Sequence, residues 1–407
     1  MRSQLLFPLK GYETLCSFLN TAWIEGWMDE YSDNHFLIKA IENRLETFVG
    51  KEQLIENDLN MQGIIDFDGN ADMVNFNRNF CINFSNRMQF LVQKFGKNQI
   101  KHFMTDQMSA GKKHYKEDTF FQALSEVSVL SFYASTLHWF QMTYEPAMKE
   151  GGSLKNPEAS LNGMLRCRAD IGNETKLEKE VTINIEVKSP EFPHDRHENE
   201  RIVIPTVLLT DPGREKVKKF CKDKGIKYLD SRVKKLKDFI NSAADKFRIP
   251  GECEFNLLYI NWSYRDFPSN SFLEAWSLMT NEINGILIHP ELAIEIGISP
   301  EAFKKITAII VYTESLEGLM FGDLRYIWQR CGDGPRFRMW VLDEKLRKAE
   351  REDRSNILFY STGMNPSDGL MQMAMADFKS ANNEERAEAE RLGKELVAII
   401  GENMKLK

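Results

Sequence analysis

The segment Val181–Lys188, VTINIEVK, constrains the fold more than any other part of the chain. Its β-branched aliphatic residues alternate with polar ones at period two, the pattern of a β-strand with two unlike faces. Val181, Ile183, Ile185 and Val187 point one way, and Thr182, Asn184, Glu186 and Lys188 point the other. A second alternating segment, Leu165–Ile171 (LRCRADI), precedes it after a short polar connection. Asp170 stands near its C-terminal end, in opposite phase to Leu165, Cys167, Ala169 and Ile171. A Glu–Lys pair on an exposed strand is a common way to blunt a sheet edge. Here the opposite face carries only Ile and Val, which is too apolar for a typical edge and points to a strand inside a sheet.

Asp170, Glu186 and Lys188 at the ends of neighbouring strands would offer hard oxygen ligands to a divalent cation, with an ammonium beside them. An acid at one strand end, a variable gap and then acid-x-Lys on the next strand resembles the motif of the PD-(D/E)XK nuclease superfamily. The proline that precedes the first acid in that family is Ala169 here. The resemblance implies an α/β fold of the restriction-endonuclease-like kind, a mixed central sheet flanked by helices, with helical N- and C-terminal regions added. It also implies Mg²⁺ as cofactor, with Mn²⁺ as substitute, held by Asp170, Glu186 and the carbonyl of Val187. Lys188 would orient or help deprotonate the attacking water and stabilise charge on the phosphoryl oxygens.

Upstream, Phe120–Phe140 reads as a largely buried helix. At about 100° per residue, Glu126 shares a stripe with Ala123, Leu130, Tyr133 and Leu137. A carboxylate on an apolar stripe must be paired, protonated or metal-bound. The resemblance makes Glu126 a third metal ligand; the plainer reading pairs it with a nearby Arg or Lys. The order of helix, short strand Phe140–Tyr144, Asp170 strand and Glu186 strand agrees with the opening of that fold.

Downstream, eleven Lys or Arg stand against three acids between Arg214 and Lys237, in a chain whose net charge is −7. Phosphates respond to a basic surface near the chemistry rather than to overall charge, so Arg214, Lys218, Lys219 and Lys222 are the candidate nucleic-acid contacts. The plainer reading is a solvated face of a helix pair that turns Val217, Phe220, Val233, Leu236 and Phe239 inward. His194 and His197 flank Asp195 but have no further Cys/His cluster to complete a zinc site, and the segment reads as an exposed loop. Phe255–Trp262 and Ile306–Tyr312 are continuous apolar runs of central strands. Arg336–Val341 reads as an edge strand, and Phe272–Phe303 as a helical insertion broken at His289–Pro290.

A chain of 407 residues has room for two or three domains. Residues 1–112 read as a mainly helical region for interaction or substrate selection. Residues 113–345 form the nuclease core with an insertion near 268–305, and 346–407 a helical region. The six cysteines are scattered, the N-terminus lacks a signal-peptide pattern, and no run reaches the length of a membrane span. The expectation is a reduced, cytoplasmic protein with no membrane partner. Its expected activity is that of a Mg²⁺-dependent endonuclease hydrolysing phosphodiester bonds, in DNA more than RNA, as in a restriction or antiviral-defence effector. The terminal helices are candidate self-association surfaces. The alternatives are a catalytically inactive nucleic-acid-binding or scaffold protein on the same fold, and an RNA endonuclease.

Overall fold

The computed structural model describes residues 16–41, 73–148, 156–168, 176–190, 201–204, 209–230, 233–262, 275, 278–280, 285–312, 337–342, 391–396, 398–399 and 402. They divide into two units of mixed α/β structure. One holds the described residues up to Tyr144 together with Ala159–Met164; the other holds those of Glu145–Glu158 and those from Leu165 onward.

The first unit is built from helices α1 (Ser17–Ile24), α2 (Met73–Phe95), α3 (Lys97–Thr105) and α4 (Glu117–Thr136), followed by strand β1 (Gln141–Tyr144). β1 pairs antiparallel with the start of β2 (Ala159–Arg168), Gln141 opposite Asn162 and Tyr144 opposite Ala159. Aromatic rings fill the core: Phe80, Phe84, Phe120 and Phe121 are buried, and Phe36 stacks on Phe120. His35 sits among them with one ring nitrogen 2.8 Å from the Met108 carbonyl, and burial pushes it down to about 4, so it is neutral at neutral pH. α4 ends four residues before the expected Phe140, because Leu137–Phe140 forms a turn, Phe140 N donating to Leu137 O, that swings the chain into β1. Gly163 lies against that corner: a Cβ there would come within 2.5 Å of the Phe140 ring.

The second unit contains the remainder of β2, then β3 (Lys176–Lys188), β4 (Arg201–Ile204), α5 (Asp211–Asp223), β5 (Lys227–Asp230) and α6 (Val233–Lys246). β6 (Glu254–Asn261), α7 (Pro290–Glu295), α8 (Pro300–Lys305), β7 (Ala308–Tyr312) and β8 (Phe337–Val341) follow. Its main sheet has the strand order β2-β3-β6-β7-β8, and β4 and β5 make a separate parallel pair. β3, β6 and β7 are mutually parallel, and β8 closes the order antiparallel to β7, as the edge-strand reading of Arg336–Val341 anticipates. Parallel neighbours need a crossover, and the segment containing α5 and α6 supplies it between β3 and β6. Thr210 caps α5, its hydroxyl accepting from Gly213 N with Pro212 in the first turn. Val217 and Cys221 of α5 and Val233, Leu236, Ile240 and Ala243 of α6 form apolar stripes at helical spacing. They join one core with Leu258 and Ile260 of β6 and Ile309 and Val311 of β7. Among the described residues, no helix is long and apolar enough to cross a membrane.

Candidate active site

β3 is flanked by β2 and β6, so both of its edges are paired. Ile185 and Val187 on one face and Asn184 and Glu186 on the other are all fully buried. The polar alternation legible in the sequence is thus a row of polar side chains beneath protein rather than beneath water. Glu186 stands in register with Leu258, Val187 with Tyr259 and Lys188 with Ile260. Glu186 and Lys188, two apart on one face, form an ion pair, Lys188 Nζ lying 2.6 Å from Glu186 Oε1. The Glu186 side chain is wholly inaccessible, and that of Lys188 is 14% exposed.

A second lysine meets the same carboxylate. Lys246, the last residue of α6, brings its Nζ to 2.8 Å from Oε1 and 2.9 Å from Oε2 of Glu186. Helical side chains lean back toward their own N-terminus, which lets a residue at the end of α6 reach along the sheet to the end of β3. Lys246 donates a hydrogen bond to Oε2, and Oε1 lies between the two ammonium groups.

Lys246 also binds Glu158, its Nζ 3.3 Å from Oε1. Glu158 immediately precedes β2 and follows Pro157. Its place beside Glu186 follows from strand direction. Only seven residues separate β2 from β3, too few for a crossover, so these neighbours run antiparallel and the residue entering β2 lies beside the end of β3. The site therefore contains two carboxylates and two ammonium groups, each no more than 14% exposed at the side chain.

Burial pushes Glu158 up to about 7, and the charge of Glu186 adds to the rise, while Lys246 and Lys188 oppose it. Burial alone would lower Lys246, but Glu158 and Glu186 more than reverse this and hold it above the ordinary lysine range. Lys246 is therefore a fixed positive charge, and Glu158 is the carboxyl with a proton to lose near neutral pH.

The backbone around Lys246 is tied down by a buried amide network. Asn184 Nδ2 donates to Glu254 Oε1 at 2.9 Å and to Asn256 Oδ1 at 2.8 Å. Asn256 Nδ2 in turn donates to the carbonyls of Arg248 and Lys305, both at 2.7 Å. Arg248 Nε and Gly251 N donate to Glu254, and Lys305 Nζ to the carbonyl of Ala244. Residues on both sides of Lys246 are thus fixed to β3, β6 and α8.

The other sequence candidates fall as follows. Asp170 and the His194–His197 segment lie outside the described residues. Glu126 belongs to the first unit, buried on α4, where its Oε1 accepts a hydrogen bond from Gln122. Arg214 and Lys218 sit on the outer face of α5 and pair locally with Asp211 and Glu215. Lys219 and Lys222 are exposed on the same helix, while Val217 and Cys221 turn inward. Among the described residues, no three or more His, Cys, Asp or Glu gather as a ready metal cage.

Sequence reasoning misses Glu158 and Lys246. A signal exists for the first: Pro157–Glu158 is a proline–acid pair upstream of Glu186, and antiparallel geometry places such a pair at the right end of the strand. No local signal marks Lys246, which lies 58 residues beyond Lys188 on an amphipathic helix. In comparison with known proteins, the chain matches no family model, and no curated protein or solved structure matches it.

Proposed function

We propose that the chain is a divalent-metal-dependent nuclease of the PD-(D/E)XK kind acting on DNA, with Glu158 rather than Asp170 as the first acid. The observation that carries this reading is the meeting of Glu158 and Glu186 across a shared lysine, with Lys188 two residues beyond Glu186 on the same strand face. Pro157 before Glu158 and Glu186-Val187-Lys188 reproduce the motif the chain resembles, including the proline that Ala169 does not supply. The residues fit the cation such a site needs. Two buried carboxylates are hard oxygen donors.

Glu158 and Glu186 would hold Mg²⁺ or Mn²⁺, with the Val187 carbonyl as a further oxygen. When bound, the ion lowers the pKa of a water and offsets charge on the phosphoryl oxygens. Lys188 orients the attacking water and donates to a non-bridging phosphoryl oxygen from the strand end. The water oxygen joins phosphorus, the bond to the bridging oxygen breaks, and that oxygen leaves with a proton. Exposed Lys219 and Lys222 on α5 meet the phosphate backbone without reading sequence.

The test is a cleavage assay on supercoiled plasmid, linear duplex, single-stranded DNA and RNA, with Mg²⁺, Mn²⁺ or EDTA. Cleavage of DNA in metal and none in EDTA is expected, with a loss of about 100-fold or more in Glu186→Gln. Intact substrate in every metal-containing arm, or full activity in Glu186→Gln, would overturn the proposal. Binding without cleavage would favour the second reading, an inactive nucleic-acid-binding protein, for which Lys246 as resident counterion of the acid pair speaks.

A further inference from the structure

We infer that Lys246 is a displaceable internal counter-cation: its ammonium occupies the divalent-metal position between Glu158 and Glu186 and must leave when metal enters. This rests on the function proposed above and concerns how its metal site is regulated. Nζ straddles both oxygens of Glu186, at 2.8 and 2.9 Å, and reaches Glu158 at 3.3 Å. A divalent ion held by Glu158 and Glu186 would compete with the ammonium for the same carboxylate oxygens. The ammonium and the ion cannot occupy the same space, so one leaves as the other enters.

Lys188 is not equivalent. It pairs with Glu186 from the same strand, and among the described residues no ion pair links it to Glu158. Lys246 is the lysine that bridges the two acids. The backbone around it is held in place. Phe247 N donates to the Ala243 carbonyl, Lys305 Nζ to the Ala244 carbonyl and Asn256 Nδ2 to the Arg248 carbonyl, so the main chain on both sides is anchored. The flexible four-carbon stem is the mobile part, and at 14% exposure it borders solvent. In the metal-free protein the ammonium offsets the repulsion between two buried carboxylates and keeps them converged. Metal affinity is correspondingly reduced, because the ion must first displace a bound charge.

The test is calorimetric titration of the full chain with Mn²⁺ and Mg²⁺, comparing wild type, Lys246→Met and Glu186→Gln, with thermal melts in EDTA and in metal. Lys246→Met should bind metal about tenfold or more tightly than wild type, since the competing cation is gone. It should also melt lower than wild type in EDTA and gain more on metal addition. Glu186→Gln should lose binding. Should the Met chain not fold, Lys246→Gln, neutral yet able to hydrogen-bond both carboxylates, must show the same tightening. A folded neutral variant that binds metal no more tightly than wild type overturns the inference while leaving the nuclease reading in place. Absence of metal binding in wild type and both neutral variants overturns the two together.

Discussion

The carboxyl of Glu158 makes the stability of the metal-free protein depend on pH in a way that one substitution should remove. Glu158 has an ordinary value of 4.5 and is pushed up to about 7 in the folded chain, by burial and then by Glu186. Between those values the folded state keeps a proton that the unfolded state has released. Stability is therefore complete below 4.5, falls as pH rises through the window, and levels off above about 7. Each pH unit of the window is worth about 1.4 kcal/mol, so the total loss is about 3 kcal/mol. Glu158→Gln keeps the shape and removes the proton, and should abolish this slope. The assay is urea unfolding in EDTA at steps from about pH 5 to 8, wild type against the Gln variant. The wild type should lose about 3 kcal/mol relative to the variant across the series. A difference between the two chains that stays constant over that range would refute the reasoning, since no proton would then be held at Glu158.

Three other outcomes are expected. Lys188→Met should lose cleavage by about 100-fold or more, because Lys188 serves the reacting groups. Glu158→Gln should lose cleavage to a similar degree, whereas Asp170→Asn should keep it within about threefold, so the pair decides in one assay which acid serves the site. Reversing Arg214, Lys218, Lys219 and Lys222 to Glu should weaken DNA binding across sequences and flatten its salt dependence, by about 0.9 in the logarithmic slope for each phosphate no longer neutralised. An unchanged slope would make the outer face of α5 a solvated surface.

What can be read from the sequence divides along physical lines. Glu186 and Lys188 are legible because a β-branched strand fixes which residues share a face, and that phase is local information. The apolar runs at Phe255–Trp262 and Ile306–Tyr312 are legible for the same reason, and both correspond to parallel central strands. The alternation that marks β2 begins at Leu165, six residues late, because Ser160 and Asn162 are poor strand formers held in place by pairing with β1, and Gly163 follows them. That late start hides Glu158, which immediately precedes the strand. Lys246 depends on where a crossover helix ends relative to a strand, and no local pattern encodes that.

The pairing of Asn184 with Asn256 has a consequence for folding fidelity. Parallel strands made of Ile, Leu and Val can slide past one another by two residues and still present the same faces, so aliphatic content alone specifies their alignment weakly. Here a slide by two would set Asn184 opposite Leu258 or Glu254 instead of Asn256. The fully buried amides would then lose partners at about 1–3 kcal/mol for each group left unmatched. The two amides thus act as a registration mark between β3 and β6, disfavouring misaligned sheets. Since Glu186 lies two residues past Asn184, an error of one such step would move the carboxylate a full repeat away from Lys246. Accuracy of assembly and placement of the charged cluster are therefore decided by the same pair of side chains.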